Sequence, residues 1–284
     1  MKLVLCHNGQ EFVDQFKPVL LAHEVVYQLI MGNALANADV PCEPECFFGA
    51  VVDETDRPVL LFGHKAPFRL LVHSLDTATI DAAVPLLVSY VVDHQIDIAG
   101  VLASDAIGSA FVACDSAHPY RRAISMDIME LRELRDIPLA SGHLRPATEA
   151  DLDLICRWHV EFNAEATGHP IDYAAAYEKN RARLSDFYLF EDPSGQVCAM
   201  ACVARKLLKG CCISLVYTDP AQRGKGYCAA LMHHLAKMQL ATGYEYVGLF
   251  VDQANPISNH TYKKVGYVIL EDSIEYDRVV KEAE

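Results

Sequence analysis

The segment VYTDPAQRGKGYCAAL, residues 216–231, constrains this chain more than any other. An apolar strand-like run ends at Asp219-Pro220, two glycines bracket a lysine, and a long apolar-periodic stretch follows. A strand passing through a glycine-rich turn into a helix is the local unit of an α/β fold. A helix N-terminus carries unpaired backbone N–H groups and a partial positive charge. Glycines there let the backbone approach a phosphate closely. Arg223 and Lys225 add charge, and an arginine grips phosphate oxygens in a planar fork. The turn therefore reads as a site for an anion. It is not a Walker loop, because the lysine lies between the glycines and no Ser or Thr follows. It is not a dinucleotide fingerprint, because Tyr227-Cys228-Ala229 brings no third glycine.

The surrounding pattern predicts a repeating order of elements. After the break at Pro138, Ser141 and Gly142, the expected order is a strand (143–146), helices (149–166 and 171–184) and a strand (186–191). The turn Asp192-Pro193-Ser194-Gly195 leads to strands 196–206 and 211–218, a helix 225–242 and a strand 245–251. A helix 256–265 and a last strand 266–278 close the half. The first half reads the same way: strand 2–6, helical stretches 9–17 and 18–36, strands 46–53, 58–64 and 68–73. A helix 77–93, a strand 97–102, a helix 104–114 and a strand 122–133 complete it. A tandem duplication of one α/β unit is the economical reading, with domains at 1–140 and 141–284.

The halves differ at one junction. In the first half the corresponding strand-to-helix turn reads RLLVHSLDTATIDAA, with Asp76 and Asp81 and neither glycine nor a second arginine near the helix start. That junction would repel an anion, so a phosphorylated ligand belongs to the second half.

Bulk properties narrow the partners. The formal net charge is -14, with 9 Lys and Arg against 19 Asp and Glu in residues 1–140 and 15 against 19 in the rest. That balance argues against nucleic acid and suits a cationic small molecule. No run of apolar residues is long enough for a membrane span, and MKLVLCHNGQEF turns polar too early for a secretory signal. The expectation is a cytoplasmic protein without a membrane partner. The 10 cysteines sit mostly inside apolar runs such as CAMACV and CCISLV, as small core residues. Cys42 and Cys46 lack zinc-ligand spacing, so no metal is expected.

A second stretch, LFVDQANPISNHTYKKVGY (249–267), contains a strand, Asn255-Pro256 as a helix start, Tyr262 two turns along the same face, and Gly266-Tyr267. Taken together, these residues resemble the GCN5-related N-acetyltransferases (GNAT). The family's acetyl-CoA motif is matched by Arg223 and Gly226, with Cys228 standing where the family has Gly or Ala. The later signature is matched by Asn255, Tyr262, Gly266 and Tyr267. The local wording is similar to that of a bacterial subgroup of tandem proteins whose N-terminal half is degenerate.

The resemblance implies two tandem GNAT-like domains, each a mostly antiparallel mixed sheet flanked by helices, the second one catalytic. It implies acetyl-CoA as co-substrate, bound by Leu215, Val216, Tyr217 and Thr218 on a strand and by Arg223, Gly224, Lys225, Gly226, Tyr227 and Cys228 at the turn. Asn255, Ser258 and Tyr262 would complete that site. Tyr262 is the expected general acid. Glu161, Glu165 and Asp252 are candidates for the base that deprotonates a small amine acceptor attacking directly in a ternary complex. Glu161 and Glu165 are four apart on one helix face, beside Trp158 and Phe162. The alternative is a module that binds acyl-CoA without turnover, as a sensor or docking protein. The protein is expected to be a monomer or a homodimer.

Overall fold

The computed structural model describes residues 1–167 and 170–279. The chain forms two compact units, one of Met1–Asp127 with Glu271–Glu284 and one of Ile128–Leu270.

The first unit runs β1 (Lys2–Leu5), α1 (Gly9–Ala22), α2 (Gln28–Ala36), β2 (Cys46–Val52), β3 (Pro58–Lys65) and β4 (Leu70–Ser74). It continues with α3 (Ile80–Asp93), β5 (Gly100–Ala103), α4 (Asp105–Cys114) and the start of β6 (Tyr120–Leu131). Its strands β1 to β4 pair antiparallel in sequence order, and β4 pairs with β5 in parallel. The second unit runs β7 (His143–Pro146), α5 (Leu152–Phe162), α6 (Tyr173–Arg181), β8 (Phe187–Glu191), β9 (Val197–Lys206) and β10 (Gly210–Thr218). Then come α7 (Tyr227–Ala241), β11 (Tyr246–Asp252), α8 (Pro256–Val265) and the start of β12 (Val268–Arg278). Strands β7 to β10 pair antiparallel in order, and β10 pairs with β11 in parallel. Each unit is thus a mixed, mostly antiparallel sheet with helices, in the same order.

The compact units divide inside β6 and again inside β12, and not at residue 140. The cause is burial. Met129 and Leu131 at the end of β6 sink into the second core, while Ile274 and Tyr276 of β12 sink into the first. The end of β12 also pairs antiparallel with β5, from Ile274↔Ala103 to Asp277↔Gly100.

The helical stretches expected at 9–17 and 18–36 break elsewhere. Pro18 lies within α1, and the chain leaves the helix after Ala22. Proline removes one amide hydrogen bond, but Pro18 faces solvent, while Phe12, Val13, Phe16 and Leu20 bury one stripe of the helix. Burial of that stripe outweighs the lost bond. Asn8 caps the helix by accepting from the Glu11 amide at 2.9 Å.

A residue-level repeat marks the hairpins. In the first unit Asp53 Oδ1 accepts from the Thr55 amide and hydroxyl and from the Arg57 amide. In the second, Asp192 Oδ1 accepts from the Ser194 amide and hydroxyl and from the Gln196 amide. The fourth residue of each turn is left-handed, Asp56 with φ 60° and Gly195 with φ 83°. These are the same side-chain-stabilised turn, built twice.

Among the described residues no helix is long and apolar enough to cross a membrane.

Candidate functional site

Strand β10 is where the second unit departs from a regular sheet. It pairs with β11 only from Gly210↔Tyr246 to Cys212↔Gly248, after which the two parallel strands separate. Its pairing with β9 shifts register between Cys212 and Ile213 and again between Ser214 and Tyr217. Leu215 has φ 52°, a left-handed conformation that costs a non-glycine residue about 1–3 kcal/mol. The bulge takes Leu215 and Val216 out of the antiparallel ladder. Strained backbone of this kind concentrates at functional sites.

The separation opens a cleft of about 70 Å³, lined by Phe162, Arg205, residues 213–216, Leu249, Phe250 and Tyr262. Tyr262 reaches it from α8, whose start is fixed by Asn255. The Asn255 side chain accepts from the Ser258 amide at 3.0 Å, as an N-cap. Pro256 follows at the first helical position. Tyr262 is 6% exposed, and burial holds its phenol well above the usual tyrosine range. It is therefore a phenol, able to donate a proton, throughout the neutral range.

The turn after β10 is a second departure. Asp219 opens it by accepting from the Ala221 amide at 2.8 Å. Gly224 has φ 80° and Gly226 has φ 84°, and Gly226 is the N-cap of α7. No side chain caps the helix. Among the described residues, chain neighbours aside, nothing lies within 4 Å of where a side chain on Gly224 would begin, and only Ala140 Cβ, at 3.7 Å, approaches the same point on Gly226. Among the described residues the first amides of α7 thus have no side-chain cap, at the positively polarised end of the helix. Lys225 hydrogen-bonds Gln222 Oε1 at 2.7 Å and stays exposed. Cys228 sits in the first turn. Burial pushes its thiol up to about 11, with Thr218 as hydrogen-bond partner, so it brings no negative charge to the cradle.

The remaining predicted residues gather around one phenol. Tyr217 Oη is 2.9 Å from Glu161 Oε2 and 3.1 Å from Glu165 Oε1. Burial, then the two carboxylates, push that phenol up. Trp158 packs against it with ring centroids 5.8 Å apart. Arg223 crosses the same ring at 5.3 Å, pairs with Glu165 Oε2 at 2.8 Å, and donates to the Thr218 carbonyl at 3.1 Å. The arginine expected to fork a phosphate is turned toward a carboxylate expected to be a base. Asp252 is elsewhere, at the end of β11, where its carboxylate accepts from the Ala254 amide at 2.8 Å and shapes the turn into α8.

Three features went unseen in the sequence reading: the left-handed bulge at Leu215, the apolar wall that Leu249 and Phe250 form with Phe162, which alone of the three was noted, and Arg205. The last had a signal, an arginine embedded in the apolar strand CAMACVARK.

Residues 152–267 match the model of the Acetyltransferase (GNAT) family, less than half of the 284-residue chain. No curated protein matches the chain. Among solved structures, an acetyltransferase from the GNAT family of Colwellia psychrerythraea is 10% identical, with a TM-score of 0.56 over 98% of this chain and 100% of that one. A Drosophila protein solved by a structural genomics consortium is 11% identical, with a TM-score of 0.61 and 98% of each chain covered. A GCN5-related N-acetyltransferase from Sphaerobacter thermophilus is 14% identical, with a TM-score of 0.57 over 92% of this chain and 85% of that one. At such identities the likeness is one of fold, and it runs through both units. The family match supports an acyltransferase that draws on acyl-CoA.

Proposed function

We propose that the second unit transfers an acetyl group from acetyl-CoA to a small amine by direct attack in a ternary complex. The observation that carries this reading is the uncapped start of α7 at Gly226, next to a strand that bulges and splays. The bare amides and the open space over Gly224 fit a diphosphate. Residues 223–228 would hold it, with Lys225 adding charge.

The freed strand segment from Leu215 to Thr218 would hold the pantetheine arm as an added strand. Asn255 and Ser258 would flank it from the start of α8. Acetyl-CoA supplies an activated thioester. An amide at Val216 or Tyr217 would donate to the thioester carbonyl, a bond that strengthens as charge grows on that oxygen. Tyr262 holds a proton for the departing sulfur. With a reference pKa of about 10, raised further by burial, the phenol carries its proton at neutral pH and has it available for the sulfur as charge develops there.

An alkylammonium with a pKa of about 10.4 must lose a proton before attack. Of the three candidate carboxylates, Glu165 holds Arg223 and Asp252 holds its own turn. Glu161 accepts only from Tyr217 among the described residues, and is the carboxylate we assign as base. The first unit is read as a degenerate copy of the second, in tandem with it.

The test is calorimetric titration with acetyl-CoA, followed by an acetyl-transfer assay across primary amines. Binding with transfer is expected, and Arg223→Glu, which sets two carboxylates side by side with Glu165, should remove both. Tight binding without transfer to any amine would turn the reading into a sensor or docking module. No binding at all would end it.

A further inference from the structure

Two sets of charges lie along β10. Glu161 and Glu165 meet at Tyr217, the residue that follows Val216 of the cleft lining. Arg205 lines the cleft together with Tyr262 and Phe162. It pairs across the strands with Cys212, the last residue of β10 still joined to β11.

A second guanidinium stands behind it. Arg183 donates through Nη2 to Cys202 Sγ at 2.7 Å and lies 5.9 Å over the Phe187 ring. Its Nε is buried and has no hydrogen-bond partner among the described residues. Burial pushes the Cys202 thiol up to about 11, so the group that Arg183 touches is neutral. Asp186, a carboxylate whose charge acts on that thiol, is held by Lys206 at 2.7 Å. Burial holds Arg205 below the ordinary guanidinium range; its contact with the Cys212 thiol works against that, and the Arg183 charge adds to it. The same Arg183 charge, with that of Lys179, adds to the burial that pushes His159 down. Like charges held together out of water are unfavourable. A carboxylate is planar, takes two parallel N–H bonds from a guanidinium, and relieves that repulsion.

We propose that the small molecule reacting in this cleft carries a carboxylate, which docks on Arg205 with Arg183 behind it. Arg205 is the contact, and Arg183 a positioning residue that acts through it. With the amine drawn toward Glu161 and Glu165, the favoured acceptor is an amino acid or another amine bearing a carboxylate. The same chemistry would suit a carboxylate on the acyl group of the thioester. This inference rests on the acyl-CoA reading of the second unit.

The experiment has two arms, both on the full chain. The first compares kcat/KM for acetyl transfer to a panel of α- and ω-amino acids with that for the matching carboxamides. The second compares succinyl-CoA with butanoyl-CoA as donor for one amine. A preference for the carboxylate of at least about tenfold in one arm is expected, and that arm names its carrier. In Arg205→Gln the preference should fall to near parity while acetyl-CoA still binds. Arg205→Lys should keep part of it, and Arg183→Gln should weaken the preference more than kcat with a carboxamide. A purely structural role would lower both members of each pair alike. Where no acceptor turns over, fluorescence of Trp158, the sole tryptophan, is read on CoA-saturated protein with the same panel. Carboxylates alone should change it. Parity in both arms, or no fluorescence change with any compound, overturns the proposal. Absence of acetyl-CoA binding would instead bring down the acyl-CoA reading, leaving the two outcomes distinct.

Discussion

The two units share a strand order and a hairpin turn, yet they part at three places that bear on chemistry. In the second unit α7 starts on Gly226 with no side-chain cap among the described residues. In the first, the turn after β4 is filled by a carboxylate, with Asp76 accepting from the Ala78 amide at 3.1 Å and Asp81 in the first turn of α3. Strand β10 shifts register against β9, while β4 pairs with β3 in unbroken register from Leu60↔Ser74 to Gly63↔Leu71. At the same distance from the N-cap as Tyr262 in α8, helix α4 carries Phe111, fully buried. One architecture thus comes with and without an uncapped glycine helix start, a freed strand segment and a buried phenol. The frame is set by strand pairing and core packing, and the chemistry by a few residues at strand ends.

Rebuilding first-unit features in the second should remove function in graded steps. The largest effect is expected from Gly226→Asp, which puts a carboxylate and a strained φ where the cradle opens. Acetyl-CoA binding should vanish in a calorimetric titration while the fold persists by circular dichroism. Retained affinity would mean the diphosphate lies elsewhere. Next, Tyr262→Phe copies Phe111 and should lower kcat about 100-fold with little change in acetyl-CoA affinity. Full activity in that variant would remove the general-acid assignment. In the parent enzyme no alkaline loss of kcat from this phenol should occur below about pH 10.

The comparison sharpens in acid. His64 in the first unit is 1% exposed, neither ring nitrogen has a hydrogen bond among the described residues, and burial lowers its pKa from 6.5 to about 4. The unfolded chain therefore binds a proton in the window from about 6.5 down to 4 that the folded chain refuses. Stability from this group is complete above the window and lost as the pH falls through it, by about 2 kcal/mol between pH 7 and 5. His64→Leu should flatten that limb in denaturant titrations at the two pH values. If it does not, the acid sensitivity resides elsewhere. The smallest effect is expected from Asp53→Ala and Asp192→Ala, each loosening one copy of the hairpin turn. Both should lower the unfolding midpoint by a few degrees at most, and by similar amounts. Widely different shifts would show that the turns are alike in form only.

Much of the frame was legible because its signals are local. Alternating apolar residues, Asp-containing turns and the N-cap at Asn255 act over a few residues, so the order of strands and helices could be read directly, with α8 at Pro256–Val265 as expected. The turn at residues 223–226 was legible for the same reason, since glycine between charges at a helix start has a narrow set of physical uses. Boundaries slipped where a local signal competed with burial, as at Pro18, which stays helical because its neighbours Phe16 and Leu20 are anchored in the core.

Other features depended on residues far apart in the chain. That Arg223 faces Glu165 and not open solvent, and that Glu161 and Glu165 meet on Tyr217, follows from how α5 packs over β10. The division of the units within β6 and β12, the bulge at Leu215, and the placing of Arg205 beside Tyr262 are likewise products of packing. The sequence by itself determined the repeated α/β order and the glycine turn that starts α7, because hydrogen-bonding and φ preferences belong to single residues and short windows. Only the tertiary structure decided which charges face one another, because that depends on which side of each strand the register leaves exposed.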